Sequence, residues 1–74
     1  MKQKGEIKHE LQTNKDLIKS KMLQKGYSIT KLASISQISK STAARAVNGQ
    51  GTQRPQTIYK ISKSLDIDTK DITL

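Results

Sequence analysis

Leu32 to Gly49 reads LASISQISKSTAARAVNG, and its order of apolar, small and hydroxyl residues decides the fold. It predicts two short helices joined by a tight turn. The first ends near Ile35, the turn is Ser36-Gln37-Ile38, and Ser39 is the N-cap of a second helix running about Lys40 to Asn48. Gly49 stands where a helix stop takes up a left-handed backbone. The second helix has two unlike faces. Ala43, Ala46 and Val47 fall at i, i+3 and i+4 and share one side. Lys40, Ser41, Ala44, Arg45 and Asn48 share the other, which holds cations and hydrogen-bonding groups and no acid. A face of this kind can enter a DNA major groove.

Outward from that stretch, the chain continues as helices. Residues 14–25 predict a first helix with Ile18 and Met22 inward, Leu17 and Leu23 beside them, and Gly26 as its end. Thr13 with Asp16 three residues on has the form of a capping box. Ser28 caps a helix over Ile29 to about Ile35, with Leu32 in the core. Gln50 to Arg54 is a loop that can lie along a sugar-phosphate backbone. Pro55 opens a helix to about Leu65 with Ile58, Ile61 and Leu65 inward. Asp68-Thr69 cap a last short helix ending at Ile72 or Leu74. The fold class is therefore all-α with five helices. Residues 1–13 are an N-terminal arm, mobile or partly helical, and 14–74 form one domain whose helix-turn-helix spans 28–48.

Charge narrows the function. The net charge is +8. From Leu17 to Leu65 there are nine Lys or Arg and no Asp or Glu. A middle section without carboxylates carries an extended positive potential that attracts polyanions. A chain of 74 residues makes one small domain with a shallow core. Ala43 and Ala46 reduce that core further, each forgoing roughly 1–2 kcal/mol against a branched side chain. Cys is absent, which fits a reducing cytoplasm and leaves no disulfide or thiolate metal site. No apolar run is long enough for a membrane span.

Catalysis finds no support. No His or Lys pattern activates a Ser or Thr nucleophile, and the glycines at 49 and 51 lack the Lys-Ser/Thr of a phosphate loop. Asp66, Asp68 and Asp71 lack the Gly and terminal Glu of a calcium loop. His9 has no second ligand near it, so neither a metal nor a cofactor is expected. With Tyr27 and Tyr59 as the only aromatics, single-strand binding by base stacking is not expected either.

Leu32-Ala33, Ile38-Ser39, Ser41-Thr42, Arg45 and Asn48-Gly49, in this order and spacing, resemble the helix-turn-helix of the Cro/repressor (XRE) family. The segment is also similar to the opening motif of lac-type repressors. A helix before the motif and a Pro-started helix after it favour the former. The resemblance covers about Asn14 to Leu74 and implies a five-helix, lambda-repressor-like DNA-binding domain. The chain departs from the family at Ile29, where a phosphate-holding Gln is common, at Ile35, where a polar residue is, and at Gln37, where Gly is usual.

The resemblance implies a small cytoplasmic, sequence-specific transcription regulator of the phage Cro or repressor type, with double-stranded operator DNA as partner. Lys40, Ser41, Ala44 and Arg45 are the expected base contacts; Ser28, Thr42, Asn48, Thr52 and Arg54 the expected phosphate contacts. A homodimer is expected, matching paired half-sites. The alternative is a modulator or antirepressor that grips a cognate repressor in a heteromeric complex, with Ile29 and Ile35 as apolar anchors.

Overall fold

The computed structural model describes residues 11–74, and the arm residues 1–10 lie outside them. Five helices follow one another: α1 Lys15–Lys25, α2 Ile29–Ser36, α3 Lys40–Val47, α4 Pro55–Leu65 and α5 Thr69–Ile72. The expected elements are all present, with ends moved by a residue or so. Hydroxyl or carboxyl side chains start three of them. Ser28 accepts from Lys31 N, Ser39 from Thr42 N and Asp68 from Lys70 N, each satisfying an N–H that the first turn leaves open.

The helix ends repeat one device. After α1, α2 and α4 comes a residue with a left-handed backbone: Gly26, Gln37 and Asp66. The next residue then donates back into the helix, Tyr27 N to Met22 O, Ile38 N to Ala33 O and Ile67 N to Ser62 O. These are Schellman closures. Tyr27, Ile38 and Ile67 pack against the core, so each closure also sets the direction of the outgoing chain. At the end of α3 the left-handed residue is Gly49, and Gln50 N returns to Arg45 O.

All five helices feed one hydrophobic cluster. Ile18, Leu32, Ile58, Ile61, Leu65 and Ile72 are fully buried there, with Met22, Ala46 and Val47 beside them. Ala33 and Ala43 are also buried but lie outside that cluster; their small size lets α2 and α3 approach closely. Buried Ser36 reaches Ser64 on α4 through a 2.7 Å hydroxyl–hydroxyl bond.

Two sequence expectations need correction. The cap of α1 is Asn14, which accepts from Leu17 N, and not Thr13. Thr13 is 97% shielded, at 3% exposure, because its hydroxyl donates to Ala46 O at 2.7 Å; a tertiary bond has claimed the group that a local motif would use. Leu23 is 84% exposed, since one residue past Met22 turns about 100° around a helix and leaves the covered side. Ile29 is half-buried and packs on the core.

The segment before α1 is laced into the domain. Leu11 and Gln53 exchange both backbone bonds, at 2.6 and 2.7 Å, and Asn14 N donates to Ile72 O. Leu11 to Asn14 thus tie the loop before α4 to the C-terminal end.

Candidate nucleic-acid interface

The α2–α3 unit positions the candidate surface. Buried Ala43, Ala46 and Val47 fix the roll of α3 about its axis. The opposite side is then presented outward: Lys40, Ser41, Arg45 and Asn48 are exposed, and Thr42 and Ala44 are half-exposed. Lys40 and Ser41 stand in the first turn, immediately after the Ser39 cap, where a helix entering a groove points its side chains first. The cap is braced twice, because Ser39 Oγ also donates to Thr42 Oγ1 at 2.8 Å. Ser28 and Asn48 are exposed at the start of α2 and the end of α3.

The loop after α3 gathers part of the predicted site. Thr42, Arg45, Thr52 and Arg54 line one polar surface cavity of about 360 Å³, together with Gln53 and Thr57. Ser28, Lys40, Ser41, Ala44 and Asn48 stand outside it. Arg45 turns toward the loop. A Cβ built on Gly51 would lie 2.5 Å from its Nη2, and Gly51 has φ +65°. Both its conformation and its missing side chain are therefore used, the first by the turn and the second by the guanidinium.

Gln53 lines the same cavity, and sequence reasoning did not single it out. It is 6% exposed, and its Nε2 is buried without a hydrogen-bond partner. Leaving such a donor unmade costs about 1–3 kcal/mol. Its only signal in the sequence is its place between Thr52 and Arg54, just before a Pro-started helix. Arg54 is the N-cap of α4 and gives it no side-chain cap, since a guanidinium has no acceptor.

Of the two expected apolar anchors, Ile35 is 41% exposed. Ile29 is engaged with the core, as described above. Among the described residues, no carboxylate lines the cavity beside Arg45 and Arg54. Asp66, at the far end of α4 from Arg54, takes a 2.8 Å hydrogen bond from Lys25 Nζ. That bond holds the Asp66 carboxyl below its usual range and raises Lys25. Among the described residues, no group of His, Cys, Asp or Glu is arranged to hold a metal ion, and no helix is long and apolar enough to cross a membrane.

Comparison with known proteins gives the same fold. A family model for the helix-turn-helix matches residues 18–72. The crystal structure of the master regulator for biofilm formation SinR in complex with DNA aligns with TM-score 0.68 and 28% identity, over 76% of this chain and 90% of that one. A chain of the SinR protein/SinI protein complex aligns with TM-score 0.67 and 30% identity, over 74% of this chain and 54% of that one. This protein thus spans about half of the latter chain. No curated protein matches the sequence.

Proposed function

We propose that this chain, which belongs to the XRE-type helix-turn-helix family, is a DNA-binding transcription regulator that reads a specific operator with α3. The observation that carries the reading is the exposed start of α3, Lys40-Ser41, set on a helix whose roll is fixed by buried alanines. The surrounding sequence from Leu17 to Leu65 contains no acid. SinR, similar in fold and 28% identical, was crystallised with DNA, and this supports the same ligand here.

In this reading α3 enters the major groove by its N-terminal turn. Lys40 donates to guanine O6 and N7, Ser41 to a base edge, and Ala44 meets a thymine methyl. Ser28, Thr42, Asn48, Thr52 and Arg54 hold backbone phosphates on either side and fix the register. Two copies occupy paired half-sites about one helical turn apart. A small phage regulator of the Cro or repressor type has this form.

The second reading is a modulator or antirepressor that grips a repressor. One observation favours it: Ile35 is 41% exposed on α2, an apolar group that the DNA contacts above do not use. Its expected companion Ile29 packs on the core instead, which weakens the reading. The deciding experiment is selection from random duplexes followed by a gel shift, with and without a candidate repressor. Enrichment of one sequence and a shift by the protein alone support the operator reading. Loss of the repressor's shifted band on adding the protein, with no shift by the protein alone, supports the second.

A further inference from the structure

We infer that Arg45 is a phosphate ligand rather than a base reader, and that it shares one oxyanion clamp with Arg54 at the N-terminus of α4. The inference rests on the DNA-binding reading above and assigns its second arginine. Lys40 and Arg45 share the outer side of α3 in the sequence pattern, but their surroundings differ. Lys40 stands in the first turn of α3. Arg45 belongs to the last turn, and its guanidinium lies over Gly51 in the loop that follows. There it lines one cavity with Arg54, Thr42 and Thr57.

Among the described residues no carboxylate lines that cavity, and its wall carries two arginines. An oxyanion between them removes the mutual repulsion and takes up the forked donors of both. The uncapped N-terminus of the eleven-residue α4 adds the positive end of its dipole. An independent sign comes from Gln53. The residue is 94% shielded, at 6% exposure, and its buried Nε2 has no partner. It belongs to the same cavity wall. A bound oxyanion supplies the acceptor that this donor lacks, after a small shift of the amide. Gly51 is then the residue that admits the Arg45 guanidinium to the loop.

Two sources share this chemistry: a phosphodiester of the DNA backbone and free inorganic phosphate. The first arm of the test needs no DNA. The nitrogen-15-labelled chain is titrated with inorganic phosphate and followed by NMR. The side-chain amide of Gln53, Nε of Arg45 and Arg54 and the backbone amide of Thr57 are expected to shift together, and to stop doing so in Arg45→Ala. Absence of those shifts overturns the clamp.

The second arm compares a selected operator with a scrambled duplex. Arg45→Ala is expected to weaken both by the same factor and to reduce the salt slope by about 1, leaving their ratio unchanged. Lys40→Ala is expected to collapse the ratio. Gly51→Asn keeps a residue that tolerates the left-handed backbone but puts a Cβ where the guanidinium ends. It should reproduce the loss seen in Arg45→Ala while the circular dichroism melt stays cooperative. A fall in the ratio for Arg45→Ala, with the slope unchanged, makes Arg45 a base reader and overturns the inference while the operator function stands. Phosphate shifts without binding to either duplex overturn the operator function and the DNA-backbone role of Arg45, and identify a free-anion site.

Discussion

The α2–α3 unit and the α1–α4–α5 side of the domain are held together by different means. On the α1–α4–α5 side, Ile18, Ile58, Ile61, Leu65 and Ile72 are large and fully or almost fully buried. Between α2 and α3 the buried residues are small: Ala33 and Ala43, with Ala46 beyond them. The first side supplies transfer free energy. The second supplies closeness and a fixed helix roll, at the cost of a left-handed Gln37 in the turn. Leu32 is the bridge, a fully buried α2 side chain in the main cluster. The difference teaches that the surface proposed to meet DNA is held by shape and the remainder by buried area.

The largest expected effect breaks the bridge. Leu32→Ala should cost roughly 2–4 kcal/mol, a large share of what so small a domain has. Thermal melts by circular dichroism report it, and an unchanged midpoint would place Leu32 outside the core. Next comes overfilling of the small-residue seam. Ala43→Leu should destabilise by about 1–3 kcal/mol, even though it adds apolar surface. Stabilisation by that variant would mean that the seam has room to spare.

A smaller effect, of opposite sign, is expected in the turn. A side chain in the left-handed region costs on the order of 1 kcal/mol, offset in part by the looser unfolded chain of a glycine variant. Gln37→Gly should therefore raise the urea midpoint slightly, and a lowered midpoint would show that the Gln37 side chain makes a stabilising contact. The smallest effect lies at the α1–α4 junction. Asp66 is lowered from its ordinary value by its bond from Lys25, so its contribution is present above the unfolded-state value and lost as pH falls through the folded one. Asp66→Asn keeps a residue that tolerates the φ of 57° there. Its melting point should sit just below wild type at neutral pH, and the gap should close in acid. A gap that persists in acid assigns the loss to something other than the ion pair.

Much of this fold is written in local sequence. Ser28, Ser39, Pro55 and Asp68 announce helix starts, and Gly26 and Gly49 announce helix ends, because capping is a contest among near neighbours. What the sequence hides is long-range. Thr13 fits a capping box, yet its hydroxyl serves Ala46, thirty-three residues away. Leu11 and Gln53 carry no pattern that pairs them, yet they exchange both backbone bonds. For the candidate site, helical periodicity correctly separates the outer residues of α3 from Ala43, Ala46 and Val47. Periodicity cannot say that Arg45 bends toward Gly51, because that depends on the path of the following loop. Nor can periodicity say how much of Ile29 stays open, since its half-burial depends on packing against the distant core.

The central claim is that the acid-free helix-turn-helix surface binds the DNA backbone while α3 reads the bases. A fluorescence anisotropy titration of the whole chain against the selected duplex, repeated across salt concentrations, tests it most directly. A copy making about four to six phosphate contacts should give a slope of log affinity against log salt near −4 to −5. The scrambled duplex should bind more weakly, with a slope that is also steep. An affinity that stays flat with salt would contradict the account, since a basic surface that releases no counterions is not holding phosphates.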